Sequence, residues 1–148
     1  MTLQESIGAF LREECPLITA AVASRVYWNR PPEHPTFPFI AFRKSGERDL
    51  TESIDWQASG LVSASIEFIC MSRLSQSEAC SVGAALTASL CGYDGACWTG
   101  RTPSTDGEYY VQGIRKTNDE DLSSAEYIEA GIYGVALAFE VIARPYTA

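Results

Sequence analysis

Apolar residues Leu3, Ile7, Phe10 and Leu11 recur at the spacing of one helical face, while Glu5, Arg12, Glu13 and Glu14 fall on the others, which predicts a helix over about 2–14. Pro16 interrupts that periodicity and suits the first turn of a second short helix, PLITAAVA, better than a helix interior. RVYW (25–28) is short, β-branched and aromatic, and predicts a strand with Trp28 in the core. The proline-rich run NRPPEHPTFP is an extended connector, and FIAFRK (39–44) is a second strand. A polar stretch, SGERDLTESIDWQASG (45–60), then predicts a long loop or a protruding hairpin. The clearest alternation is LVSASIEFICM (61–71), with Val62, Ala64, Ile66, Phe68 and Cys70 on one face and Ser63, Ser65 and Glu67 on the other. Ser75 followed by Glu78 makes a capping box for a helix whose apolar stripe is Ala79, Val82, Leu86 and Leu90 and whose end lies near Gly92. Residues 96–107 are turn-rich, and EYYVQGIRK (108–116) predicts a strand. TNDEDLSSAEYIEAG (117–131) is an acidic connector, and the chain closes with GIYGVALAFEVIARP, where Val135, Leu137, Phe139 and Val141 alternate with small or polar residues.

Helices and strands mix without strict βαβ alternation, and no internal repeat is visible. This pattern predicts an α+β fold: a mixed, mostly antiparallel sheet with helices packed on one face and protruding loops. At 148 residues the chain is expected to be one domain, 1–148. A chain of this size buries roughly 68–70% of its unfolded surface and needs no staple.

Composition adds constraints. Apolar residues make up 46% and charged residues 20%, ordinary values for a globular protein. Apolar runs fall short of the roughly 20 residues of a membrane helix, and MTLQESIGAFLREE lacks a signal peptide's basic start and apolar stretch, so synthesis and folding in the cytoplasm are expected. The net charge of −8 argues against binding nucleic acid through phosphate contacts, while an acidic surface suits a conduit that must not hold its cargo.

Candidate chemistry is sparse. His34, the single histidine, sits between Glu33 and Pro35 in the rigid connector rather than beside a nucleophile. Cys15, Cys70, Cys80, Cys91 and Cys97 lack the paired spacing of a zinc site; they are expected to be reduced and buried, with Cys70 and Cys80 on core faces. GYDGACWTG lacks the Gly-Lys-Ser/Thr and the helix start of a phosphate loop. Asp119, Glu120 and Asp121 lack the spacing of a calcium loop, and they are expected in a solvated acidic loop that faces a lumen. Leu50, Ile54 and Trp56 place apolar side chains in a polar segment and are candidates for an interface with another subunit or partner. No catalytic, cofactor-binding or metal residue is assigned.

The order of an N-terminal helix, RVYW, PPEHPTFPFIAF, LVSASIEFICM, the capped helix SQSEACSVGAALTASL and a final β-segment resembles the tail-completion, or tail-terminator, proteins of siphophages. In those sequences a proline-rich step ending in Pro-Phe or Pro-Tyr leads into a strand, as Pro38-Phe39-Ile40 does. The resemblance covers almost the whole chain; the polar segment 45–60 and the acidic insert 117–131 depart from it. It implies a structural virion protein, not an enzyme and without a cofactor. Copies, typically six, would close into a ring at the head-proximal end of the tail tube, ending tube polymerisation and docking to a neck or head-completion protein. DNA would pass through without specific binding, and no membrane would be involved. The alternatives are another neck or head-completion protein, a non-phage acidic binding module, or an enzyme using Cys97 or paired carboxylates, which native-state thiol reactivity would reveal.

Overall fold

The helical periodicity at the start of the chain forms α1 (Leu3–Glu13), and Pro16 opens α2 (Pro16–Val22) at its first turn. The chain continues through β1 (Val26–Trp28), β2 (Phe39–Asp49), β3 (Val62–Ser72), α3 (Gln76–Cys91), β4 (Gly100–Arg101), β5 (Tyr109–Leu122), α4 (Ala125–Glu129) and β6 (Tyr133–Pro145). This computed structural model describes residues 3–13, 15–49, 62–91, 100–101, 109–122 and 125–145. The strands form one sheet in the order β1-β2-β3-β6-β5-β4, antiparallel throughout except for the parallel pair β1–β2. The fold is α+β.

Alternation along the strands decides which face is covered. Ala64, Ile66, Phe68 and Cys70 of β3 and Val135, Leu137, Phe139 and Val141 of β6 are buried, and they pack with Ile40 and Phe42 of β2 in one core cluster. Leu3, Ile7, Phe10 and Leu11 of α1, Ile18 and Val22 of α2, and Ala79, Val82, Leu86 and Leu90 of α3 join that same cluster, so all three helices lie on one side of the sheet. At its centre Phe68 stacks on Phe42 and meets Phe139 edge-on, both at 5.5 Å between ring centroids. On the other side Arg43, Ser45, Ser65 and Arg115 are exposed, and Glu67, Ile69, Ala136, Ala138 and Ile142 are half-buried. The connector turns over one end of that open face: Asn29 takes a left-handed φ of 68°, and Phe37 and Tyr27 meet the ring of Phe39.

Several expectations need correcting. Trp28 is 39% exposed rather than in the core, because β1 ends there at the sheet edge. Cys80 lies on the exposed side of α3, one position past the buried Ala79. Only half of the capping box forms: Ser75 Oγ accepts the Glu78 N–H at 3.1 Å, but the Glu78 carboxylate takes the hydroxyl of buried Ser72 at 2.7 Å. The segment 117–131 is not a loop: β5 runs on to Leu122, α4 follows, and Gly131, at φ +69°, ends that helix. Gly100 and Arg101 in the turn-rich stretch form β4, and β2 extends through residues 45–49.

The sheet also contains a repeat that the sequence reading missed. A twofold rotation through the partners Ile66 and Phe139 maps β3 onto β6 and β2 onto β5. Lys44 pairs with Ile66 as Lys116 pairs with Phe139; Gly46 pairs with Ser65 as Asn118 pairs with Ala138; and both outer strands bulge between those pairs. Aligned in this way, AFRKSGERD (41–49) lies over GIRKTNDED (113–121), and VSASIEFI (62–69) over VALAFEVI (135–142). The halves part company outside the four long strands, where β1 is parallel to its neighbour, β4 is antiparallel, and β5 carries a second irregularity between Val111 and Gly113.

Candidate functional site

The two outer long strands present edges that the short strands only partly cover. β1 pairs with residues 40–42 of β2, and β4 with residues 110–111 of β5. Among the described residues no strand covers the outer edge of β2 from residue 43 onward or that of β5 from residue 113 onward. Unpaired strand edges are where another chain adds most readily.

Both edges carry the same side-chain arrangement. At the β2 bulge the Ser45 hydroxyl donates to the Ser65 carbonyl at 3.2 Å; at the β5 bulge the Thr117 hydroxyl donates to the Ala138 carbonyl at 3.2 Å. Lys44 reaches Glu47 at 3.6 Å across the first bulge, and Lys116 reaches Asp119 at 3.1 Å across the second. On the open face Arg43 pairs with Glu67 at 2.8 Å, and Arg115 with Glu140 at 2.6 Å. These pairs are exposed enough for solvent to screen them, so they orient side chains more than they stabilise the fold. Glu140 is held more firmly: the Ser63 hydroxyl donates to its other oxygen at 2.7 Å. That hydrogen bond, then the one from Arg115, holds its carboxyl below the usual carboxylate range.

The residues singled out from sequence are dispersed. Leu50, Ile54 and Trp56 lie outside the described residues, as does Cys97. Asp119, Glu120 and Asp121 do not form a loop cluster: they pair with Leu137, Ala136 and Val135 of β6 in turn, so Asp119 and Asp121 fall on the helix side and Glu120 on the open side. His34 is exposed on the connector. Burial and, secondarily, Asp119 push the Cys70 thiol up to about 12, which leaves it a protonated core side chain. Among the described residues no group of three His, Cys, Asp or Glu side chains is placed to hold a metal. Also among them, no helix is long and apolar enough to cross a membrane.

Two further surfaces stand out. A groove of about 410 Å³ runs between α3 and β5, walled by Cys80, Gly83, Thr87, Lys116, Asp119 and Leu137. At the sheet end where β3 finishes and β6 begins, Leu74 is 75% exposed, Ile128 67% and Tyr133 39%. Beside them Arg73 lies over the ring of Phe37, 4.8 Å from its centroid.

Among solved structures, the chain is similar to a protein chain in the virion of a native gene transfer agent particle, with a TM-score of 0.65 and 17% identity. The likeness is one of fold. It runs nearly end to end, over 96% of this chain and 94% of the other. No family model matches the sequence, and no curated protein matches it.

The lysine–carboxylate pairs were missed in the sequence because Lys44 and Lys116 close the predicted strands 39–44 and 108–116, while Glu47 and Asp119 fall in polar segments that look like solvated loops. The signal that would have found them is the recurrence of Arg-Lys-Ser/Thr-x-acid at residues 43–47 and 115–119.

Proposed function

We propose that the protein is a structural component of a virion, acting through contacts with copies of itself and with other virion proteins rather than through a reaction or a cofactor. The observation that carries this reading is the end-to-end fold likeness to a chain of a gene transfer agent virion. The finer reading follows the resemblance to tail terminators: a ring, with six copies expected, at the head-proximal end of the tail tube, where it ends tube polymerisation and docks to a neck protein. Three features support it. A closed ring needs two different complementary patches on each subunit, and the sheet has two edges, on opposite sides, that no strand covers among the described residues. The exposed Leu74, Ile128 and Tyr133 at one end of the sheet supply an apolar surface for a contact along the tail axis. The net charge of −8 suits a channel that lets DNA pass without holding it.

The test is electron microscopy of the purified protein mixed with its candidate tail-tube protein, with mass from light scattering on the same sample. Rings, or capped tubes of defined length, are expected. A monodisperse monomer that leaves tube growth unchanged overturns the terminator reading.

A further inference from the structure

The internal twofold makes the two sheet edges copies of one another, and their charges are arranged so that one edge fits the other. β2 from residue 43 onward carries Arg43, Lys44 and Arg48 against two acids; β5 to residue 121 carries Asp119, Glu120 and Asp121 against two bases. Bulges and charges normally keep an edge from pairing indiscriminately. The unlike pairing is the one a closed ring requires, since joining like edges would stop at an isologous pair of copies.

We propose that β2 of one copy joins β5 of the next as antiparallel strands, residues 43–49 against 114–120, with the lysine–carboxylate pairs exchanging partners across the junction. This rests on the self-assembly reading above and gives it residues. Aligning the two bulges sets Lys44 opposite Asp119, Glu47 opposite Lys116, and Arg43 opposite Glu120. Lys44, Glu47, Lys116 and Asp119 all belong to the helix side of the sheet, since their partners within the chain are Ile66, Ala64, Phe139 and Leu137. The four side chains therefore meet on one face of the junction. One like-charged pairing remains, Arg48 opposite Arg115, and there the Glu140 carboxylate already holds Arg115. The short strands fix the length of the contact. β1 ends at the partner of Phe42 and β4 reaches only Val111, so both leave the paired stretch clear, and Asp121 and Leu122 at the end of the incoming β5 must turn aside from β1. Because β2 and β5 run in opposite directions within one sheet, the junction continues the antiparallel alternation from copy to copy.

Charge swaps confined to one strand test this without altering net charge or the pairs within the chain. The β2 swap is K44E/E47K and the β5 swap is K116D/D119K. Sedimentation velocity over a concentration series of the full chain is expected to show self-association. Either swap alone is expected to weaken it about tenfold or more, since opposed cross-strand charges become like charges. The two swaps combined restore it, while urea midpoints stay together to show intact folding. Pairing of like edges, β2 with β2 or β5 with β5, would keep opposite charges in contact in every variant, so association that survives the single swaps overturns the proposal. Zero-length carbodiimide coupling of a mixture of ¹⁴N and ¹⁵N chains is expected to give a mixed-isotope link between Lys116 and Glu47. Wild-type chains that neither associate at the highest soluble concentration nor give that link overturn the junction as well. Rings on a tail-tube template that ignore both swaps would overturn this junction and leave the ring reading standing; no rings, no capped tubes and no association would remove both.

Discussion

Ser72, fully buried where β3 ends, has a hydroxyl that donates to Glu78 at 2.7 Å and accepts the Leu74 N–H at 3.0 Å, tying a strand end to a helix start. Ser72→Ala is expected to lower stability by about 1–3 kcal/mol, read as a shifted urea midpoint with unchanged slope. Protonation of Glu140 is coupled to folding. Its folded pKa is lowered by Ser63 first and Arg115 second, so its contribution is complete above the unfolded carboxylate pKa and is lost as pH falls through the lower folded value. Ser63→Ala should raise the Glu140 pKa toward the ordinary range in a ¹³C carboxyl titration and flatten the acid limb of the stability profile in that window. An unmoved pKa would show that Ser63 is not the cause. The two cysteines expected on core faces separate in the same way: iodoacetamide should modify exposed Cys80 in the native protein and leave Cys70 untouched, as mass spectrometry would show.

At the level of elements, the readable signals were the periodic ones. The apolar stripes of α1 and α3 and the alternation of β3 and β6 were legible because their buried residues keep a strict period of 3.6 or 2. The second half of β5 was not legible. Residues 117–121 contain no apolar side chain, since an edge strand half covered by α3 can expose charge on both faces and still complete its ladder to β6. The same applies to residues 45–49 of β2, which pair with β3 despite their polarity. α3 has slack of its own. A Cβ at Gly83 would meet Leu137 Cδ1 at 3.4 Å and Val135 Cγ1 at 3.6 Å, ordinary contact distances. Gly83→Ala should therefore stabilise the protein by about 0.5–1 kcal/mol through helix propensity, measurable by thermal or urea unfolding.

Across the whole molecule, the aromatic centre joins the two repeated halves: Phe42 and Phe68 belong to one, Phe139 to the other. Phe68→Ala should cost about 3–5 kcal/mol and unfold both halves in a single transition, because the core is one cluster; two separated transitions would contradict that. Assembly through lysine–carboxylate contacts at exposed edges should weaken as salt rises from about 0.05 M to 1 M, where screening lengths fall to about 3 Å. An assembly held by the apolar end at Leu74, Ile128 and Tyr133 would strengthen instead under excluded salts such as sulfate.

The sequence by itself determined the class of fold, the helix-covered face and most of the core, because burial imposes periodicity on side chains one element at a time. Tertiary structure decided what periodicity does not encode: that the acidic run 119–121 divides between two faces, that Trp28 ends at an edge, and that β2 and β5 are related by a twofold through Ile66 and Phe139. A repeat of this kind escapes a linear reading because its members share only a few charged positions. Strand register sets equivalent residues in equivalent places, and register is fixed by pairing between segments far apart in the chain.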